Sequence, residues 1–150
     1  MHFRFVRSNI LAKDREPRGQ MIEGFVVKNY RSLKSVQIAL RPLTAFVGPN
    51  ASGKSNILGA MALMAGIVSG TNLAELMDRK GGYESCVWGG DSRADIELEA
   101  SGYLSRESAA SKERFKYGVV LRGTPGLAIR NEWVDTSTPE MRLRRSGDRR

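Results

Sequence analysis

Gly48-Pro49-Asn50-Ala51-Ser52-Gly53-Lys54-Ser55 is the stretch that decides the fold. It meets the pattern G-x-x-x-x-G-K-[ST] at every fixed position, the signature of a loop that wraps a phosphate chain. A phosphate chain needs donors aimed at it from several sides. Glycines at 48 and 53 let the backbone turn tightly enough for its N–H groups to point inward. A helix opening at the end of the loop adds unpaired N–H groups and a positive dipole end. Lys54 then reaches the β- and γ-phosphates, and the Ser55 hydroxyl binds Mg²⁺.

The flanks have the order such a loop requires. Leu43-Thr44-Ala45-Phe46-Val47 is a short apolar run suited to a buried strand. Asn56–Ser69 carries no charge and is rich in Leu, Ile, Ala and Met, as a helix packed on a sheet is.

Working outward, Met21–Lys28 reads as a strand, Asn29-Tyr30-Arg31-Ser32 as a turn, and Lys34–Leu40 as a half-buried strand that alternates. These two form an antiparallel pair ahead of the loop. Asn29 suits a left-handed turn position. Beyond the loop helix, Asn72 caps a short helix over Leu73–Arg79, and Gly81-Gly82 ends it. Ala94–Ala100, Phe115–Leu121 and Leu127–Val134 read as strands of an antiparallel sheet, separated by a polar loop at Ser105–Glu113 and a turn at Thr124-Pro125-Gly126. Asp95, Glu97 and Glu99 share one face of the first of these. Strand alternation accounts for them without metal or acid/base chemistry. Trp88 and Trp133 read as packing residues rather than stacking platforms.

With 150 residues there is room for one domain or one lobe of a larger one. No apolar segment has the length of a membrane span, and the N-terminus has no apolar stretch of the secretory type. Cys86 is the single cysteine, which excludes an internal disulfide. Together these point to a cytoplasmic protein with no membrane partner. The net charge of +8 is concentrated at the ends. Residues 1–20 hold Arg4, Arg7, Lys13, Arg15 and Arg18 against Asp14 and Glu16, and residues 141–150 hold five arginines against Asp148. The body is close to neutral. Residues 1–20 therefore read as a flexible extension, 21–136 as the folded lobe and 137–150 as a basic flexible tail. Basic ends of this kind also add non-specific affinity for DNA.

Met21–Asn56 resembles the opening of the SMC/RecF-like branch of ABC-type ATPases, the group of "AAA family" ATPases that includes the overcoming-lysogenisation-defect nucleases. The residues that carry the resemblance are Phe25 to Leu33, the second strand, and Leu43 to Asn56, with Gly48-Pro49-Asn50-Ala51-Ser52-Gly53-Lys54-Ser55-Asn56 matching the family's loop. The resemblance implies an α/β fold. This is the N-terminal lobe of a P-loop NTPase, in which a mixed sheet and the phosphate-loop helix are followed by an antiparallel β subdomain. It implies Mg-ATP as cofactor, with Gly48 to Asn56 around the phosphates, Asn50 near the γ-phosphate, and Arg31 and Ser32 near the nucleotide. On its own pattern Arg31 is equally an exposed turn residue.

The rest of that family's engine is not in the sequence. Gln20 and Gln37, the only glutamines, both precede the loop, and no signature motif, no apolar strand ending in Asp-Glu and no switch histidine follows it. The expectation is an ATP-binding lobe whose hydrolysis depends on a second lobe or a dimer partner, whether the chain is truncated, a fragment or one piece of a split ATPase. A P-loop small-molecule kinase and a non-enzymatic, nucleic-acid-associated fragment using the basic ends are the alternatives. The two strands ahead of the loop count against the kinase.

Overall fold

In the computed structural model, residues 22–104, 113–137 and 143–149 are described. Strand β1, Ile22–Tyr30, turns at Arg31-Ser32 into β2, Leu33–Ala39. Helix α1 spans Lys54–Val68, and two short helices follow, α2 at Leu73–Asp78 and α3 at Tyr83–Cys86. After a single tight turn at Trp88–Gly90 come β3, Ile96–Tyr103; β4, Arg114–Arg122; β5, Ala128–Thr136; and β6, Leu143–Arg149. The strands make one sheet in the order β2-β1-β3-β4-β5-β6, and each pairing in it is antiparallel.

Period-two alternation sets the two faces of this sheet. On β3 the buried residues are Ile96, Leu98, Ala100 and Gly102. Ile96, Leu98 and Ala100 join Phe25, Val27, Val119 and Leu121 in a core closed by Ile57, Ala60 and Leu63 of α1. The opposite face carries ion pairs: Lys28 to Glu97 at 2.7 Å, Lys116 to Glu99 at 3.1 Å, and Arg122 to Asp95 at 3.3 Å, with Arg130 also on Asp95. The three carboxylates are thus paired members of a solvated face, as alternation implied. Trp133 packs flat on Gly118, where an added Cβ would stand 2.0 Å from the indole.

The α/β reading therefore holds, as an antiparallel sheet with helices on one face. Three expectations change. Leu43–Val47 forms no strand, so no parallel member is present among the described residues, and Leu43 and Val47 are 72% and 68% exposed. The segment has no strand to pair with among the described residues, and Thr44 instead closes a local turn, its hydroxyl accepting from the Arg41 N–H at 2.9 Å and donating to the Arg41 carbonyl. The stretch 137–150, read as a basic tail, contains β6, which pairs along β5 from Val134↔Leu143 to Ile129↔Arg149. Trp88 is not packed in the core but 42% exposed. The extension at 1–20 and most of the loop at 105–113 lie outside the described residues.

Helix α1 is apolar on more than one side. Its buried stripe is Ile57, Ala60, Leu63 and Met64, while Leu58 and Val68 stand in solvent at 56% and 64% exposure. A surface helix normally turns polar residues outward. None of the described helices is long and apolar enough to cross a membrane.

Candidate nucleotide-binding site

The loop at 48–55 lies where β2 has ended and α1 begins. Gly53 takes φ 89°, ψ 3°, a left-handed conformation that a side chain would resist, and launches the helix directly. Ala51 is also left-handed, at φ 61°. The first N–H groups of α1 with an acceptor are those of Asn56 and Ile57, both on the Gly53 carbonyl at 3.0 Å. Among the described residues the N–H groups of Lys54 and Ser55 have none, as expected of the first turn of any helix.

The Lys54 ammonium donates to the Gly48 carbonyl at 2.8 Å, the Pro49 carbonyl at 2.6 Å and the Ser52 hydroxyl at 3.2 Å. The loop is therefore a closed cup around its own lysine. A Cβ on Gly48 would sit 3.1 Å from the Ser52 hydroxyl, inside that cup. An anion entering here meets a cation already centred and donors with no competing acceptor.

The β1–β2 turn is fastened to the same place. Asn56, in the first turn of α1, donates to the Ser32 hydroxyl at 2.8 Å. Ser32 and Asn56, both picked out from the sequence, are thus brought together with the loop. Arg31 is not turned the same way. Its guanidinium donates to the Lys80 carbonyl at 3.3 Å and stands 5.8 Å from the Tyr30 ring. Its backbone N–H donates to the Cys86 carbonyl at 2.6 Å. Asn29 and Arg31 both adopt left-handed φ, 54° and 49°, and the Asn29 side chain donates to the Asp95 carbonyl at 3.0 Å. Ser55 is exposed in the first turn of α1.

Behind the turn, Tyr30 is fully buried, and its hydroxyl has no partner among the described residues; the same is true of the Arg31 Nε. Burial disfavours the charged forms of the Tyr30 hydroxyl and the Cys86 thiol and raises the pKa of each above its ordinary value.

A sequence model of the AAA ATPase domain matches residues 21–97. The chain belongs to that family. The matched span opens at β1, takes in the loop and α1, and closes as β3 begins. The chain is also 48% identical over 48 residues to an OLD nuclease of Thermus scotoductus (strain ATCC 700910 / SA-01), a stretch that covers 32% of this chain and 9% of that protein. The resemblance seen in Met21–Asn56 is borne out at the level of the family.

As an AAA ATPase domain, the chain also has structural residues that periodicity does not reveal. Tyr83 is one. Its hydroxyl lies 2.8 Å from both the Ala94 and the Leu121 carbonyls, which share its single proton, and accepts from the Ile96 N–H at 3.2 Å. Burial pushes this phenol up to about 12. Its only sequence signal is an aromatic after two glycines. Trp88 is the other, exposed, with the Lys34 ammonium 5.1 Å from its ring centroid. No group of three or more His, Cys, Asp or Glu capable of holding a metal is present among the described residues.

Proposed function

We propose that this domain binds Mg-ATP through Gly48 to Ser55 as the nucleotide-binding lobe of an ATPase of the RecF-like type. The observation that carries the proposal is the Lys54 ammonium, centred on three oxygens of its own loop at the head of α1. A triphosphate exchanges those neutral acceptors for charged ones, and charge-assisted bonds are the stronger. Lys54 then holds the β- and γ-phosphates, the N–H groups of Lys54 and Ser55 face the anion, and Asn50 lies toward the γ-phosphate. Ser32 and Asn56 fix the turn beside it. Ser55 would hold the Mg²⁺, which when bound neutralises charge building on the phosphate oxygens.

Hydrolysis also needs a carboxylate that orients water and a second surface that closes the pocket. Asp95, Glu97 and Glu99 are committed to ion pairs on the far face of the sheet. We therefore assign those parts to a second lobe or a dimer partner. The exposure of the large apolar residues Leu43, Val47, Leu58 and Val68 supports this, since apolar surface left in solvent is surface a partner can cover. A relation to DNA, which the nuclease relative suggests, belongs to the assembled ATPase. A small-molecule kinase would continue as βαβ, and the antiparallel strands here argue against it.

The test is thermal unfolding with Mg-ATP. At about 100 times its Kd a ligand stabilises the folded state by roughly 2.7 kcal/mol. For this size that is a rise of several degrees, and Lys54→Ala abolishes it. Equal rises in wild type and variant would refute the site.

A further inference from the structure

The AAA ATPase loop accounts for phosphates but not for the base attached to them. Trp88 is the large aromatic that the core leaves outside, 42% exposed. It is not loosely held. Val87 bridges Tyr30, the Val87 N–H donates to the Tyr83 carbonyl at 2.8 Å, and the Cys86 carbonyl accepts from Arg31 at 2.6 Å. Gly89 and Gly90 follow, both at φ 72°, so the chain leaves the indole in a conformation that keeps side chains away from it. The Lys34 ammonium stands 5.1 Å from the ring centroid and has no ion pair among the described residues. Lys34 lies two residues beyond Ser32, whose hydroxyl accepts from Asn56 in the first turn of α1. An anchored indole and the ammonium over it thus stand beside the turn that is tied to the phosphate loop, Trp88 next to the Val87–Tyr30 bridge and Lys34 at the start of β2.

An indole face and an ammonium together suit a ligand with a flat π-system and negative charge. Resting on the phosphate-loop reading above, we infer that Trp88 is the stacking platform for the base of the nucleotide, with Lys34 beside it on the α-phosphate side. The site then distinguishes a nucleoside triphosphate from a bare polyphosphate through Trp88, while Lys54 serves both. Stacking on an indole is tolerant of base identity, so the preference is for a base as such. Lys34 changes partner as the base arrives, from the ring to phosphate oxygen.

The experiment is calorimetric titration of the full chain with Mg-ATP and, separately, with Mg-tripolyphosphate, on wild type, Trp88→Ala, Trp88→Phe and Lys54→Ala. Tryptophan fluorescence is read in parallel. Stacking of one base corresponds to roughly a tenfold change in affinity. Trp88→Ala should weaken Mg-ATP about tenfold and leave tripolyphosphate unchanged. Trp88→Phe should restore most of the loss, and the quench that ATP causes in wild type should vanish in Trp88→Ala. Two results overturn the stacking role while leaving the phosphate loop intact: wild type that binds ATP no better than tripolyphosphate, and Trp88→Ala that weakens both ligands alike. Wild type that binds neither ligand overturns both readings. A quench produced by an oligonucleotide and preserved in Lys54→Ala would give the indole to nucleic acid instead, and would also overturn the proposal.

Discussion

Removing one oxygen from Tyr83 should loosen the connection between the helices beside the loop and the sheet. The phenol is 8% exposed, and its oxygen meets the Ala94 carbonyl, the Leu121 carbonyl and the Ile96 N–H. Tyr83→Phe keeps the ring against Gly123 but leaves the buried Ile96 N–H and Leu121 carbonyl short of a partner. A buried group deprived in this way costs about 1–3 kcal/mol, so we expect a loss of about 2 kcal/mol at pH 7, measured by urea unfolding with an unchanged m-value. The same residue predicts a pH dependence. An unfolded tyrosine ionises near 10, and burial pushes Tyr83 up to about 12. A group raised on folding stabilises fully below its unfolded value, and that stability drains away as pH climbs through 10 toward 12. The difference corresponds to about 3 kcal/mol. Tyr30 and Tyr117 are raised by burial as well, so wild type weakens in alkali through more than one group, and comparison with Tyr83→Phe isolates this one. The stability gap between the two proteins should be widest below pH 10 and should close by about pH 12. A gap under about 0.5 kcal/mol at pH 7 would mean that water replaces the hydroxyl, and a gap that stays constant through alkali would refute the linkage.

Gly118→Val should unfold the sheet or cost several kcal/mol in chemical denaturation, because a Cβ there lies 2.0 Å from the Trp133 ring and that ring is held by strand pairing. Asn72→Ala should cost about 1 kcal/mol in the same assay, since the Asn72 carbonyl oxygen Oδ1 accepts from the N–H groups of Ala74 and Glu75 at the head of α2. Phosphate release from saturating Mg-ATP should not exceed background for the chain alone, because Asp95, Glu97 and Glu99 are held in ion pairs on the solvated face; multiple turnovers lost in Lys54→Ala would show otherwise.

The parts of the fold that could be read in advance are those governed by period and by capping chemistry. β1, β2, α1, the Asn72 cap and β3 to β5 each follow from alternation, from a charge-free helical run or from one side-chain acceptor. The parts that could not be read depend on a partner. Leu43–Val47 has the composition of a strand, but a strand exists only against a neighbour, and none of the described strands pairs with it. The opposite error arose in β6. Arg144 and Arg145 are as exposed as a tail would be, yet backbone pairing with β5 asks nothing of side-chain polarity. α3 is four residues long, too short to display any period. For the site, motif spacing marked the loop itself and the family resemblance added Ser32 and Asn56, whereas the exposure of Trp88 depends on tertiary packing that no local pattern announces.

The candidate site is also larger than its motif. Four segments distant in sequence converge on the β1–β2 turn: Asn56 through Ser32, Cys86 through the Arg31 N–H, Lys80 through the Arg31 guanidinium, and Asp95 through Asn29. Two consecutive-but-one residues there, Asn29 and Arg31, sit in left-handed conformations that cost non-glycine residues free energy. Such a turn persists only when its surroundings over-determine it, and these four attachments do so. The position of α1 relative to the sheet, and hence the direction in which the loop's donors point, is therefore fixed from outside the loop. Arg31 contributes by holding the α2–α3 connection through its charge while its backbone holds Cys86. The clamp thus ties the turn to two segments on the far side of α1 in sequence, one through the guanidinium and one through the main chain.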